Sequence, residues 1–411
     1  MLLVLLKILL IFFLLLQLII AYYLLLPPFL LLVYGIKKLF KVETAFERLP
    51  ILTKKDFEFG VIITAHQETR FVVPLVDSIL KQQYQKFNIY IVADDCDISE
   101  LKFTDPRINI LTPKPALHSK IKSIHYSLTK FVKDHDALII LDADNLIHPS
   151  FLSTMNMYFQ KGYKVVQSDF KPKNTDSHFA RMDAIGDMFN FFLEREARMW
   201  LNLSAAIWGS GVAIDLELYK EVEYKSFLGG FDKKLQAHLV QRVDRIAFAP
   251  KALLYDEKIS SGKSLQTQRT RWISSYFKYF RESLKLFFTG LKRGSVNLIY
   301  FSSIILRPPL FIIIGSAFFI TAVNYFLLSG YFIPWLCILA LFFISFIVII
   351  IIKGKDIRFL KTFLLLPLFA WRQLLALFKL KKAKRSFMKT QHSQLIYIDD
   401  ILKKWLLLKE S

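Results

Sequence analysis

Two carboxylates one residue apart, Asp142 and Asp144, close the run Leu138-Ile139-Ile140-Leu141-Asp142-Ala143-Asp144-Asn145. The four apolar residues suit a strand buried on both faces of a parallel sheet. If the strand continues, residues two apart point to one side, so both acids aim at one place. Open α/β sheets bind ligands just beyond the carboxyl ends of their strands. Two acids held that close need positive charge between them, and a hard divalent cation supplies it. A solvated acidic turn is the bland reading of so short a motif.

Other acids fall where apolar runs end. Glu68 follows the first run, and Asp94 and Asp95 follow the second. Each alone reads equally well as an ordinary polar cap, but strand ends converge on one rim of such a sheet. A nucleotide's base and ribose offer donors to Glu68 and Asp94, while its diphosphate would ride on a metal held by Asp142 and Asp144. Lys120 opens the helix before the central strand and is placed to pair a phosphate; the alternative is a solvated helix lysine. In Trp208-Gly209-Ser210-Gly211 the glycines permit close backbone approach to a ligand.

These positions require an alternating scaffold. Phe59–Ala65 reads as a strand, Phe71–Gln82 as a helix, Asn88–Ala93 as a strand and Arg107–Leu111 as a short third strand. A helix over Ser119–Val132, the central strand, a helix from Pro149 and a strand over Tyr163–Ser168 come next. Asp176–Leu203 reads as a long helix and Asp232–Arg242 as a shorter one. Arg245–Pro250 and Ala252–Tyr255 read as two closing strands. The alternation predicts a mostly parallel sheet with right-handed crossovers.

The rest of the chain is membrane-like. Its 411 residues are 54% hydrophobic with a mean hydropathy of +0.37, which predicts one α/β domain plus membrane segments. Residues Ile8–Leu26 carry no charge, and Phe29–Val33 extend them past Pro27-Pro28, enough to cross a hydrocarbon core of ~30 Å. Leu310–Leu328 and Phe332–Ile352 read as an antiparallel pair of spans. The net charge of +21 clusters beside apolar runs, at Lys37-Lys38, Lys353–Arg358 and Lys381–Arg385. That pattern fits the cytoplasmic side of a bilayer and argues against a nucleic-acid binder. Only two cysteines occur, Cys96 and Cys337, and no Cys/His cluster has zinc spacing.

The expected organisation is an anchor over 1–36, a cytoplasmic catalytic domain over 57–260 and amphipathic interfacial helices over 261–309. A transmembrane hairpin over 310–352 comes next, then an interfacial or re-entrant helix with a basic tail over 353–411. Within the last part, Phe359–Leu380 is interrupted by Pro367 and Arg372.

Residues 59–272 resemble the nucleotide-sugar transferases of glycosyltransferase family 2. Ala65-His66-Gln67-Glu68 is similar to that family's Ala-x-Asn-Glu, with Gln67 replacing Asn. Val92-Ala93-Asp94-Asp95-Cys96-Asp97 resembles its nucleoside-binding turn, and Asp142-Ala143-Asp144 its Asp-x-Asp metal motif. Lys120–Leu128 resembles the Lys-rich segment ending in Ala-Leu-Asn, with Ile124-His125 in place of Leu-Asn. Gln268-Arg269-Thr270-Arg271-Trp272 matches the Gln-x-x-Arg-Trp of membrane-bound members such as cellulose, chitin and hyaluronan synthases. Phe387-Met388-Lys389-Thr390 resembles a Trp-x-Lys-Thr stretch after the last membrane segment of related bacterial enzymes.

The resemblance implies a GT-A fold with a mostly parallel sheet flanked by transmembrane helices. It also implies Mg²⁺ or Mn²⁺ on Asp144 and Asp142, and a UDP-sugar donor touching Ala65, Glu68, Asp94, Lys120 and Asp142. The acceptor and diphosphate would lie beside Trp208, Gly209, Ser210, Gln268, Arg271 and Trp272. The family's Glu-Asp base maps to Phe231-Asp232, so Asp232 would deprotonate the acceptor; a plain helix N-cap explains Gly-Gly-x-Asp as well. The implied protein is an inverting transferase acting on a membrane-proximal or lipid-linked glycan at a bacterial inner membrane. A processive synthase is the variant within that class, and an inactive membrane scaffold of the same fold is the reading outside it.

Overall fold

The computed structural model describes residues 1–224, 227, 229–365, 371, 373 and 394–410. One eight-stranded sheet, in the order β3-β2-β1-β4-β7-β6-β8-β5, organises the catalytic part. Three of its strands, β1 (Phe59–His66), β2 (Phe87–Asp94) and β4 (Ala137–Asp142), are almost wholly buried. Each is a run of β-branched and aromatic residues with no polar alternation, the pattern of a strand covered on both faces. β3 (Ile108–Leu111) completes this parallel half. The register sets His66 beside Asp94 and Thr64 beside Asp142, so all the polar strand ends share one rim. Helices Val72–Leu80 and Lys120–Leu128 return the chain between these strands and bury Ile79, Ile121 and Ile124 on the sheet.

The second half is mixed. β7 (Val212–Asp215) enters antiparallel to β4, pairing Val212 with Ile140, and Gly211 N donates to Ile140 O at 2.8 Å. An antiparallel strand begins where its neighbour ends, so the segment preceding β7 lands on the functional rim. β6 (Val165–Pro172) is next, pairing with β8 (Ala247–Asp256). The two predicted closing strands are thus one strand, with a register shift opposite Ser168/Asp169 absorbing Pro250, Lys251 and Ala252. β5 is the two-residue Leu146–Ile147, antiparallel to β8. The fold is a mixed α/β sheet of GT-A type.

The long helix predicted over Asp176–Leu203 runs His178–Phe191, through a π-type turn Phe192–Glu196, to Ala197–Trp200. It is a shared wall. One side meets the sheet through Phe191, while Ile185, Phe189 and Phe192 join a second core with the membrane helices. Among the described residues, three helices are long and apolar enough to cross a bilayer: Leu2–Leu39, Leu310–Leu327 and Ser329–Gly354. Pro27 and Pro28 lie inside the first of these without ending it. Gln17 bonds Asn324 (3.0 and 3.3 Å) and accepts from Trp335 Nε1 at 2.5 Å, a buried polar clasp among the three. Polar ties fasten the bundle to the wall: Lys37 Nζ to Trp200 O at 2.5 Å, and Lys353 to Glu196.

The amphipathic helix Gly262–Lys292 follows β8 and packs on Phe231–Leu239 and on the apolar helix Val296–Leu306. At the other end, helix Ile398–Glu410 sets Ile398 and Ile401 on Leu146 and Tyr255, and Lys81 pairs Asp399 at 2.7 Å. Most of Phe359–Leu380, the cluster Lys381–Arg385 and Phe387–Thr390 lie outside the described residues.

Candidate active site

β4 ends at Asp142, and Asp144 sits in a turn closed by Asn145 N donating to Asp142 O at 3.0 Å. The expected continuation of the strand through both acids is therefore corrected. A turn, and not strand alternation, presents them. Asn145 Oδ1 accepts from Asp142 N at 2.9 Å and from Ser210 Oγ at 2.5 Å, while Asp142 N also reaches Ser210 Oγ at 3.1 Å. Lys173, buried, donates to Asp144 O. The reading of the motif as Asp-x-Asp alone missed Asn145, whose side chain reaches back to the amide of the strand-end acid.

Lys120 is no solvated lysine. Its Nζ meets Asp142 Oδ1 at 2.5 Å and Gly209 O at 2.8 Å, and lies 5.3 Å from the Phe231 ring centroid. Gly209 has φ +74°, and a Cβ there would stand 3.4 Å from Asp232 Cβ and 3.3 Å from Phe231 Cε1. Asp142, Lys120, Gly209 and Asp232 thus form one contiguous group from β4 to the helix Phe231–Leu239. Phe231, where the family pattern has an acid, packs beneath this lysine. Gly230, with φ +66°, is the N-cap of that helix, and Asp232 is its second residue.

On the helix Gly262–Lys292, Gln268, Arg271 and Trp272 are three and four residues apart and share one face. Burial pushes the Arg271 guanidinium below its ordinary range, and Asp142 and Asp232 both pull it back up. One buried arginine therefore lies within electrostatic reach of the strand-end acid and the helix acid together. Gln268 Oε1 is buried and accepts no hydrogen bond among the described residues, an orphan acceptor at this wall. Trp272 and Trp208 are 6.0 Å apart between ring centroids. Arg269 faces away, bonding Asp183 at 2.6 Å. The loop before β7 is fixed from below by Gln167, which takes Trp208 N at 2.8 Å and gives Nε2 to Ser210 O at 3.0 Å. A buried glutamine inside an apolar strand carries no local signal of such a role.

At the far end of the rim the predicted nucleoside residues are more constrained than the sequence suggests. Ala65 is buried beside Ala93. Asp94 is 1% exposed, and its carboxylate accepts Leu117 N at 2.6 Å and His118 N at 2.7 Å. Glu68 pairs Arg70 at 2.6 Å, and Gln67 Nε2 bonds Asp95 Oδ2 at 3.0 Å. Gln67, Asp95 and His118 all have left-handed φ, +58°, +56° and +49°. Each such residue costs about 1–3 kcal/mol, strain that concentrates at ligand sites. His66, Asp94 and His118 bring three metal-capable donor atoms within 4.8 Å of one another.

Residues 57–275 match the family described as "Glycosyltransferase like family 2". The chain belongs to that family. It is a glycosyltransferase. No curated protein matches the sequence. Among solved structures it is similar to the mannosyltransferase PcManGT from Pyrobaculum calidifontis, in complex with GDP-Man and Mn²⁺, at 15% identity and TM-score 0.53, covering 82% of this chain and 99% of that one. TarS of S. aureus is a more distant likeness at 15% identity and TM-score 0.39, covering 55% of this chain and 65% of that one. A further TarS structure, with UDP-GlcNAc, stands at 12% identity and TM-score 0.37, covering 61% of this chain and 90% of that one.

Proposed function

We propose that this glycosyltransferase moves a hexose or N-acetylhexosamine from a UDP-sugar to a membrane-proximal or lipid-linked glycan, with inversion. The observation that carries the reading is the contiguous group Asp142, Lys120, Gly209 and Asp232, with Arg271 within electrostatic reach of both acids. Asp232 takes the proton of the acceptor hydroxyl as that oxygen attacks the anomeric carbon from the side opposite the leaving diphosphate. A base placed this way contributes about 10²–10⁴-fold. Arg271 and Lys120 receive the charge that grows on the departing diphosphate, Lys120 by leaving Asp142 for a phosphate oxygen. Trp208 and Trp272 offer flat faces for a sugar ring, and Gln268 Oε1 an acceptor for one of its hydroxyls.

Asp142 and Asp144 fit a hard divalent cation, Mg²⁺ or Mn²⁺. They are oxygen donors, and the Asp142 side chain is 43% exposed, open to a ligand on its second oxygen. Bound there, such an ion supplies Lewis-acid neutralisation of the diphosphate. The mannosyltransferase holding GDP-Man and Mn²⁺ on a similar fold supports a metal-dependent donor site and makes GDP-mannose the competing donor to test. The helices suited to spanning a bilayer support a membrane position, and the Lys37–Lys38 and Lys353–Arg358 flanks a cytoplasmic domain at a bacterial inner membrane. Three such helices among the described residues favour single transfer over a polymer-conducting synthase.

The test uses the purified full chain in detergent with UDP-glucose, UDP-galactose, UDP-GlcNAc or GDP-mannose and Mn²⁺, reading released nucleoside diphosphate. Release with one donor, lost on Asp144→Ala, is expected. No release and no binding with any donor leaves the inactive scaffold as the explanation.

A further inference from the structure

His66, Asp94 and His118 belong to three segments: the end of β1, the end of β2, and the loop before helix Lys120–Leu128. Their donor atoms lie within 4.8 Å of one another, with His66 Nδ1 at 3.1 Å from Asp94 Oδ2. The two imidazoles stand edge to face, centroids 5.2 Å apart. This grouping is not held loosely. The Leu117 and His118 amides fix both oxygens of the Asp94 carboxylate, at 2.6 and 2.7 Å. The second of those bonds also fixes the strained backbone from which the His118 side chain projects, at φ +49°. Hydrogen bonds that orient ligands in this way characterise metal sites.

The donor set decides the metal. Two imidazole nitrogens and one carboxylate oxygen are borderline ligands, favouring Zn²⁺, Ni²⁺ or Cu²⁺ over Mg²⁺. Asp142 and Asp144 offer only hard oxygen. Three protein ligands leave a fourth tetrahedral position for water. We propose that His66, Asp94 and His118 form a second metal site, selective for a late first-row transition ion such as Zn²⁺ and separate from the Asp142–Asp144 pair. The side chain of His118 is exposed, so an ion reaches the site from solvent. An ion there takes up the free coordination of Asp94, the residue assigned to the nucleoside. Zn²⁺ then excludes the donor, a consequence that rests on the proposed function while the binding itself does not.

The test uses the full chain in detergent, its affinity tag removed, after dialysis against a chelator and in 5 mM Mg²⁺ (about that concentration, chosen to saturate weak oxygen sites). Co²⁺ serves as the spectroscopic probe. One Co²⁺ per chain with the intense visible bands of a four-coordinate site is expected, displaced by Zn²⁺. His118→Asn keeps a residue that tolerates left-handed φ and removes an imidazole. It should weaken Co²⁺ binding at least about 10-fold, whereas His178→Asn, at another exposed histidine, should not. Absence of stoichiometric Co²⁺ binding, or equal binding by wild type and His118→Asn, overturns the site. Stoichiometric binding without competition against UDP upholds the metal site and overturns the nucleoside role of Asp94 instead.

Discussion

The two halves of the rim are held in different ways. In the donor half, polar groups stand on the ends of β1, β2 and β4 and are fixed by short hydrogen bonds: the Asp94 carboxylate by two backbone amides, the Asp142 amide by the Asn145 and Ser210 side chains. In the acceptor half they stand on helices fixed by buried ion pairs. Arg269 meets Asp183, Lys258 lies between Asp187 and Asp256, and Arg307 bonds Glu194 at 2.7 Å. Those partners lie on the wall helix and on β8, and the wall shares a core with the membrane helices. The donor half is thus preorganised by the sheet, whereas the geometry of the acceptor half depends on the membrane bundle. Binding the donor and transferring the sugar should therefore be separable by mutation.

The largest expected effect breaks the halves apart. Asp232→Asn should cut transfer by about 10²–10⁴-fold while donor affinity stays near wild type. Single-turnover rates and a donor-binding titration on the same preparation check it, and near-normal turnover removes Asp232 from the mechanism. The converse substitution, Lys120→Met, removes the link between Asp142 and Gly209 and should weaken donor binding together with transfer.

The joint between the halves is Gly211, at φ +58°. A Cβ there would stand 2.2 Å from Ser168 Oγ and 2.8 Å from Leu254 Cδ1, inside the sheet and against a packed side chain. Overpacking of that kind costs about 1–3 kcal/mol, and the left-handed backbone adds roughly 1–2 kcal/mol. Gly211→Ala should lower the melting temperature in detergent and impair donor binding and transfer alike. A variant that loses only one of the two would show the halves to be more independent than the shared β4–β7 pairing implies.

The donor half was legible in the sequence because its signals are local. An unbroken apolar run ending in a histidine or an acid identifies β1, β2 and β4, and parallel pairing then puts His66, Asp94 and Asp142 on one edge. The acceptor half was legible only by resemblance. That Trp208–Gly211 reaches the same rim depends on β7 running antiparallel between β4 and β6, a pairing across some seventy residues. Gln167, Asn145 and the His66–Asp94–His118 group do their work through partners distant in the chain, and periodicity does not report such contacts. Even the Asp142–Asp144 pair was found by the wrong geometry, since a turn presents what a strand was expected to carry.

Acid should test the donor half from its opposite end. Below β1 and β2, His135 is buried against Phe131 and Gly60 and bonds the Tyr90 hydroxyl at 2.8 Å. Burial pushes its imidazole down to about 4. The folded protein keeps it neutral where the unfolded chain, titrating near its ordinary value of about 6.5, takes a proton. Its stability contribution is therefore complete above pH ~6.5 and is lost as pH falls from there to about 4, at no more than about 1.4 kcal/mol per pH unit. His135→Gln, which retains a partner for Tyr90, should flatten the fall of the melting temperature across that window. An unchanged slope would remove His135 as a source of the acid sensitivity.

The smallest effect, and one of opposite sign, concerns the wall itself. Arg198 is fully buried, and its Nε, Nη1 and Nη2 have no hydrogen-bond partner among the described residues. It rests over Tyr300 and Phe301, 4.7 and 5.6 Å from their ring centroids. Burial pushes its guanidinium down to about 10. The paired cations of this half offset their desolvation with a carboxylate, but rings return only about 2 kcal/mol for a cation taken out of water. Arg198→Met keeps the length and apolar stem while removing the uncompensated charge. The melting temperature in detergent should rise or hold, whereas Lys258→Met, which strands Asp187 and Asp256 without their cation, should melt lower through a loss of about 3–5 kcal/mol of stability. If Arg198→Met falls as far, the charges of the acceptor wall act as one network, and Arg198 is part of what holds that half to the membrane helices.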